Sequence, residues 1–319
     1  MTTWCRACTC ACVILGLTAC LPAQQPPAQD PGPKQSTIEP PAKEQKLPEV
    51  RAVRLAENVY MLSGAGGNLA LLAGDDGAVL IDSEYTAMHD KLVAALKETT
   101  KAPIRYVVNT HWHFDHVEGN EAFSKAGACI VAHENVRKKM SAEQHLDHID
   151  RTVPPSPAAA LPTITYTDAM TLYLDGEEVR IIHVEPAHTD GDSFILFRKA
   201  NVLHVGDTFF NGEYPFIDVR AGGSLDGLIK AAARALELAD QHTKIIPGHG
   251  PQSTKAGLQA YHDMLVTARD RIGALVKQGK SRDEVIAAKP TQELDPKWAG
   301  QAFPPDMWVG IVYDAMVRK

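Results

Sequence analysis

The feature that constrains this chain most is the string His111-Trp-His113-Phe-Asp115-His116, which directly follows the apolar run 104–108. The run is typical of a short buried strand. If the chain stays extended beyond the run, His111 and His113 point to the same side, because side chains alternate along a strand. Two imidazoles placed in this way can hold one metal ion, and Asp115 and His116 can reach a second. By the same alternation, the Trp and Phe of the string are expected to face away from the metal and to pack.

Three further candidate ligands stand at strand ends beside glycine. His188 lies in a turn between strands, Asp207 follows Val-Gly where a buried strand ends, and His249 lies in a Gly-His-Gly segment that also follows a strand. Glycine permits tight turns and lets the backbone approach a bound ion closely. Loops that project from a rigid sheet edge often carry functional sites. The sequence therefore predicts that these residues complete the metal site.

Short strands mixed with helices extend from about residue 50 to the end of the chain. Apolar spacing predicts helices at 86–99, 224–239 and 255–278, with Ser224 as a credible N-cap of the second. Further helices are expected at 282–288 and 305–318. The pattern indicates a layered α/β fold with helices on the outside.

In this order, the HxHxDH string, the lone histidine, Gly-Asp and Gly-His-Gly resemble the metallo-β-lactamase-fold hydrolase superfamily over about residues 55–255. The resemblance implies a four-layer αβ/βα sandwich with a centre of two zinc ions at one edge. The ligands it implies are His111, His113 and His188 for the first ion, Asp115, His116 and His249 for the second, and Asp207 as the bridge.

The resemblance also implies roles around the metals. Asp82 ends an early strand and matches an acid that orients ligands rather than binding metal. Two cations lower the pKa of a bridging water toward neutrality and so generate a nucleophilic hydroxide. Asp115 could orient that hydroxide and carry its proton to the leaving group. The loop 208–218 is expected to overhang the metals, and Asn211 or Tyr214 in it could polarise a substrate oxygen, with simple packing of this aromatic loop as the alternative.

The resemblance implies a small-molecule substrate with an activated acyl bond, and β-lactam hydrolysis is the first specific hypothesis. Several β-lactamases carry a cysteine where Asp207 stands and a lysine three residues later, whereas this chain has Phe210 there. The full ligand set is closer to lactonases and glyoxalase II-like thioesterases, although the basic cluster that grips glutathione is not recognisable. Two other classes remain open: a persulfide dioxygenase-like redox enzyme with one iron ion, and a non-catalytic protein of the export pathway.

Charge and hydropathy exclude other classes. The chain has 319 residues and a formal charge of −7, which gives no overall attraction to nucleic acid. Its apolar runs are too short for a polytopic membrane protein. Five of six cysteines fall in the first twenty residues, with Cys129 as the sixth, so a disulfide scaffold for the main body is excluded.

The N-terminus predicts export. One arginine precedes a short apolar stretch that ends in Leu17-Thr18-Ala19-Cys20, a sequence that resembles the bacterial lipobox. We expect a signal peptide at 1–19, a lipid-anchored Pro-rich linker at 20–49 and the metal-binding domain with its C-terminal helices at 50–319. An ordinary signal peptide is the alternative. The predicted location is periplasmic or outer-membrane-anchored, with membrane contact only through the lipid on Cys20.

Overall fold

The computed structural model describes residues 47–146, 151–300 and 303–317. The predicted signal peptide, Cys20 and most of the predicted linker lie outside the described residues. Among the helices that are described, none combines the length and the apolar character needed to cross a bilayer.

Fourteen strands are present within the described residues. In chain order they are β1 (Arg51–Arg54), β2 (Val59–Ser63), β3 (Leu69–Leu72), β4 (Ala78–Ile81), β5 (Ile104–Val108), β6 (Cys129–His133), β7 (Gln144–Leu146), β8 (Arg151–Val153), β9 (Ile164–Tyr166), β10 (Ala169–Leu174), β11 (Glu177–His183), β12 (Ser193–Phe197), β13 (Val202–His204) and β14 (Lys244–Ile246).

Nine α-helices accompany them within the described residues. They are α1 (His89–Thr99), α2 (Phe114–Val117), α3 (Asn120–Lys125), α4 (Glu134–Met140), α5 (Leu225–Leu238), α6 (Lys255–Lys277), α7 (Arg282–Ala287), α8 (Asp295–Trp298) and α9 (Pro305–Val317).

The strands form two main sheets. The larger has the order β1-β2-β3-β4-β5-β6-β9, and it changes from antiparallel pairing to parallel pairing at β4. The smaller has the order β10-β11-β12-β13-β14, in which β13 and β14 are parallel. β7 and β8 form a separate hairpin. The parallel pairs matter for function, because the carboxyl ends of neighbouring parallel strands lie at the same sheet edge.

The two sheets pack face to face through an apolar core to which Ile81 and Val131 contribute from one sheet and Ile181 and Ile195 from the other. Helices α1 and α3 cover the outer face of the larger sheet. Helices α5, α6 and α9 cover the outer face of the smaller sheet. Because both faces of each sheet are covered, strands such as β3, β4 and β12 are buried along their whole length. This four-layer αβ/βα arrangement confirms the predicted fold class.

The long predicted helices form close to their expected limits. Helix α5 starts where expected because the side chain of Ser224 accepts a hydrogen bond from Gly227 N at 3.0 Å. Helix α6 begins in the same way, with Thr254 as its cap. The hairpin of β7 and β8 and the short strand β9 have no counterpart in the predicted elements, because they are short and only partly buried and so show no apolar run.

Candidate metal centre

The candidate ligands lie on loops that leave the carboxyl ends of strands. The HxHxDH string follows β5, Asp207 follows β13 and His249 follows β14. Main-chain hydrogen bonds tie the loops of the two sheets together, from Ser193 N to Thr110 O at 2.9 Å and from Asn68 N to Gly248 O at 2.7 Å. The two sheets therefore present these loops at one shared edge.

Three imidazoles converge at this edge. Nδ1 of His113 lies 3.1 Å from Nε2 of His111 and 2.8 Å from Nε2 of His188. All three residues are buried. His111 and His113 do point to the same side of the chain, as the alternation along an extended segment predicts.

The opposite nitrogen of each ring is bound to a protein oxygen. Nε2 of His113 lies 3.0 Å from a carboxylate oxygen of Asp218, and Nδ1 of His188 lies 2.9 Å from the main-chain oxygen of Phe216. Both oxygens can only accept, so the rings donate there. Nδ1 of His111 likewise donates to the hydroxyl of Thr110 at 3.0 Å, because that hydroxyl gives its own proton to a buried carboxylate.

These contacts orient the three histidine rings so that the lone pairs of their unprotonated nitrogens converge. Each ring that donates through one nitrogen carries an unprotonated nitrogen on its other side. Three such lone pairs within about hydrogen-bond distance repel each other unless a cation lies between them. The geometry therefore fits a metal ion at this first group of ligands, and Asp207 belongs to the same group of donor atoms.

A second group of donors consists of Asp115, His116 and His249. Nε2 of His249 lies 3.3 Å from Oδ2 of Asp115, and Nε2 of His116 lies 3.5 Å from the same atom. Asp115 and His116 lie on the short helix α2, which begins directly after His113. The turn of this helix carries them away from the first group, so the string serves two groups of donors.

Asp207 lies between the two groups. Its Oδ1 is 3.1 Å from Nε2 of His116, and its Oδ2 is 3.3 Å from Nε2 of His249. Oδ2 is also 3.6 Å from Nε2 of His188 and 3.8 Å from Nε2 of His111. One carboxylate therefore faces both groups, as expected of a bridging ligand.

Two atoms at this junction have no partner within the described residues. Nε2 of His116 and Oδ1 of Asp207 are buried and form no hydrogen bond, even with each other. A buried polar atom without a partner costs free energy. A cation that coordinates both atoms removes that cost. The unpartnered atoms therefore fit a metal ion in the second group as well.

The electrostatics of the two groups differ in the metal-free protein. Burial and the neighbouring His113 lower the pKa of His188 to about 4. Burial by itself would lower the pKa of His249, but the carboxylates of Asp207 and Asp115 outweigh burial and raise this pKa to about 10. His188 is thus a neutral ligand, whereas His249 carries a positive charge before a metal binds.

Asp82 supports the centre from behind. Its Oδ2 accepts a 2.8 Å hydrogen bond from Nδ1 of His116 and a 2.7 Å bond from the hydroxyl of Thr110. Its Oδ1 accepts from Thr110 N at 2.8 Å. Asp82 is not in either group of candidate ligands, and its contact with Nδ1 fixes the ring of His116, which is the orienting role that the sequence predicts.

Two glycines lie so close to ligand side chains that no larger residue fits there. A Cβ atom at Gly248 would collide with Oδ1 of Asp207, and one at Gly67 would collide with the ring of His116. The backbone of the His249 loop is further held by Asn68, whose side-chain amide donates to Pro247 O at 2.9 Å and to Gly250 O at 2.8 Å.

Asp218 is a functional residue that the sequence analysis missed. It accepts from His113 and is held by Ala221 N, which donates to its Oδ1 at 3.0 Å. His113 is 105 positions away in the chain. The sequence places Asp218 at the end of the loop that follows Asp207, but nothing in the sequence links Asp218 to His113.

The prediction that Asn211 or Tyr214 of the loop 208–218 polarises a substrate oxygen is wrong, and the alternative of simple packing describes Tyr214. Tyr214 is fully buried, stacks on Trp308 with ring centroids 4.0 Å apart, and donates its hydroxyl to Asp295 at 2.7 Å. It therefore faces the C-terminal helices and cannot touch a substrate. Asn211 uses its side-chain amide to donate to Pro251 O at 2.9 Å and does not line the cavity beside the ligands.

A cavity of about 260 Å³ opens beside His113, Asp115, Asp207 and His249. Trp112 packs into the core as expected, but Phe114 lines this cavity. The alternation of an extended chain ends at His113, because helix α2 begins at Phe114. The expectation that Phe114 faces away from the metals is therefore wrong.

The segment before α9 reaches the same cavity. Phe303 lines it and stacks parallel to Phe216 with centroids 5.7 Å apart. Trp308 of α9 donates its indole N–H to Pro215 O at 2.8 Å. The C-terminal segment thus contributes to the wall of the cavity as well as to the outer layer.

The sequence matches the model of the family described as the Metallo-beta-lactamase superfamily over residues 63–251, more than half of the chain. It is 23% identical over 266 residues to the Beta-lactamase-like protein 2 homolog of Caenorhabditis elegans, with 80% of each chain covered. It is 29% identical over 159 residues to a hydroxyacylglutathione hydrolase of Rhodospirillum rubrum. That alignment covers 49% of this chain and 52% of the relative, so the chain spans about half of that protein.

The fold is similar to that of a metallo-beta-lactamase from Pontibacter korlensis. The TM-score is 0.57 at 18% sequence identity, and the match covers 68% of this chain and 99% of that one. At this level of identity the likeness establishes the shared fold.

Proposed function

The chain belongs to the metallo-beta-lactamase superfamily of metal-dependent hydrolases, and we propose that it cleaves an activated acyl bond at a centre of two zinc ions. The observation that carries the proposal is the position of Asp207, whose carboxylate lies between the two groups: Oδ1 faces His116, and Oδ2 lies within 3.6 Å of both His249 and His188. A carboxylate shared in this way fits two ions held close together. The proposal assigns the first ion to His111, His113, His188 and Asp207, and the second to Asp115, His116, His249 and Asp207.

The donor chemistry favours zinc. The ligand atoms are imidazole nitrogens with a minority of carboxylate oxygens, which is an ordinary zinc environment. Iron in a persulfide dioxygenase-like enzyme would occupy only His111, His113 and Asp207. The complete second group, in which Nδ1 of His116 donates a hydrogen bond to Asp82, supports the hydrolase instead.

The chain's own residues position the reaction. When bound, the two ions lower the pKa of a water so that it becomes a nucleophile, and they polarise the substrate carbonyl. Asp115 lines the cavity, and its carboxylate lies at the second group of ligands. It is placed to accept the proton of the attacking water and to deliver it to the leaving group. Asp218 and Asp82 hold His113 and His116 in orientation during this step.

The bond type is tested with protein of verified zinc content. A panel of simple esters, lactones, thioesters and the chromogenic β-lactam nitrocefin is assayed before and after treatment with a chelator. We expect chelation to abolish turnover of at least one acyl substrate and zinc to restore it. Fully zinc-loaded protein that turns over no member of the panel would overturn the proposal. Activity that follows a single iron per chain would favour the redox alternative.

We also propose that the protein is exported as a lipoprotein anchored through Cys20. The support is the short apolar stretch before the lipobox-like sequence and the proline-rich segment after it, which has the composition of a tether. Substrates met outside the cytoplasm fit this location better than glutathione thioesters do.

A further inference from the structure

We propose that the acyl substrate is uncharged, with an apolar chain or ring that packs against Phe210, Phe216 and Phe303, and that carboxylate-bearing substrates are disfavoured. The inference rests on the proposed acyl hydrolase and defines the substrate class of the same site. It rests on the composition of the cavity beside the ligands, whose remaining lining is apolar apart from Tyr85 and Glu213.

The aromatic walls form a connected surface. Phe210 stacks on His249 with ring centroids 4.8 Å apart and meets Phe303 edge to face at 6.4 Å. Phe303 in turn stacks on Phe216 at 5.7 Å with an interplanar angle of 1°. Phe114 and Leu146 complete the apolar lining. These rings hold one another in place, so the apolar surface exists before a substrate binds.

Beyond the ligands, the described part of the lining contains no lysine or arginine. Glu213 adds a carboxylate to the lining, and no described lysine or arginine pairs with it. A nearby cation, Arg151, lies over the ring of Phe114 at 4.0 Å, ion-pairs with Glu118 at 3.6 Å and is not a lining residue.

The consequence follows from desolvation. Away from the ligands, a substrate carboxylate that enters this cavity loses water and meets Glu213 and aromatic faces, with no lysine or arginine in the described lining to compensate. Transfer of an alkyl or aromatic group from water to this surface is favourable, because the group then contacts the three rings. The volume of about 260 Å³ accommodates a medium-length acyl chain or one ring beside the reacting bond.

Three p-nitrophenyl esters test this with one leaving group: the acetate, the hexanoate and the mono-ester of adipic acid, whose chain has the hexanoate length but ends in a carboxylate. With zinc-loaded full-length protein, we expect kcat/KM for the hexanoate to exceed that for the acetate by about tenfold or more, since each fully buried methylene is worth roughly fourfold. We expect the adipate to be at least about tenfold poorer than the hexanoate.

Variants locate the effect. Phe303→Ala should lower the hexanoate-to-acetate ratio by about fivefold or more, and Phe303→Leu, which keeps most of the apolar volume, should lower it less. Glu213→Gln should raise kcat/KM for the adipate relative to kcat/KM for the hexanoate. Tyr173→Ala serves as the control, because this aromatic side chain is 75% exposed on the edge strand β10.

The outcomes separate the inference from the proposed function. If the acetate is hydrolysed in a zinc-dependent manner but chain length has no effect, or the adipate is preferred, the substrate class is wrong and the hydrolase stands. If no ester, lactone, thioester or lactam is hydrolysed by zinc-loaded protein, the proposed function itself fails. Should Phe303→Ala not fold, the comparison of the three esters in the unmodified protein and in Glu213→Gln still decides.

Discussion

Oδ2 of Asp82 accepts a 2.8 Å hydrogen bond from Nδ1 of His116, and both side chains are completely buried. The contact fixes the proton on Nδ1 and turns the Nε2 lone pair of His116 toward Asp207. Asp82 has a φ of 62°, a conformation that asparagine also tolerates, so Asp82→Asn keeps the backbone. An asparagine that keeps its oxygen on Thr110 N places its NH₂ group where Oδ2 of Asp82 was. That nitrogen cannot accept a hydrogen bond from His116 or from the hydroxyl of Thr110.

We therefore expect Asp82→Asn to weaken binding of the second metal ion by about 10- to 100-fold. Binding of the first ion should weaken less, because Asp82 reaches His111 only through the hydroxyl of Thr110. Competition of the metal-loaded protein against a chelator measures both affinities, with Asp263→Asn on the exposed face of α6 as the matched control. A loss that falls mainly on the first ion would contradict the direct orientation of His116 by Asp82.

Asp218→Asn should act on the other ion. Its carboxylate accepts from Nε2 of His113 at 3.0 Å, so the amide removes the acceptor that orients this ring. We expect the first ion to be weakened by about 10- to 100-fold, with the second less affected. The same chelator competition applies. A loss that falls on the second ion instead would show that His113 does not belong to the first group.

Gly248→Ala tests the close approach of the backbone to the bridging residue. The added Cβ collides with Oδ1 of Asp207 and also with backbone atoms, so Asp207 must move. We expect lower metal content, little turnover and a lower melting temperature. In Gly273→Ala on helix α6, the new Cβ would meet only Met316, at 4.0 Å, so this control should leave stability unchanged or raise it by up to about 1 kcal/mol. Normal metal content in Gly248→Ala would refute the clash.

Cys20→Ser tests the proposed lipid anchor. A serine cannot form the thioether to the lipid, so labelling with a radioactive fatty acid should vanish and the protein should fail to sediment with membranes. Protein that is still labelled and of unchanged mobility would rule out the lipobox. Unlabelled wild-type protein that is nevertheless exported would favour the ordinary signal peptide.

The parts of the fold that the sequence predicts are those with local causes. Helix α5 follows from its apolar spacing and from Ser224, and the shared direction of His111 and His113 follows from the extended chain after β5. The prediction for Phe114 is wrong because helix α2 begins at this residue and ends the alternation of the extended chain. Nothing local in the sequence marks that helix start.

What the sequence could not predict depends on contacts between distant segments. Tyr214 is turned inward by Asp295 and Trp308, which lie more than 80 positions later. Phe303 reaches the cavity only because α9 packs on the smaller sheet, beyond the part of the chain that carries the motifs. Spacing along the chain holds no information about such contacts, whereas the resemblance of the motifs gave the ligand set at once.

The central claim is that one carboxylate, Asp207, holds two metal ions together. The most direct test is the zinc content of Asp207→Ala, measured by elemental analysis beside the unmodified protein, with turnover of the best acyl substrate recorded on the same samples. We predict two zinc ions per chain in the unmodified protein, one or fewer in the variant, and a fall in turnover of several orders of magnitude. Two zinc ions and near-normal turnover in Asp207→Ala would contradict the account.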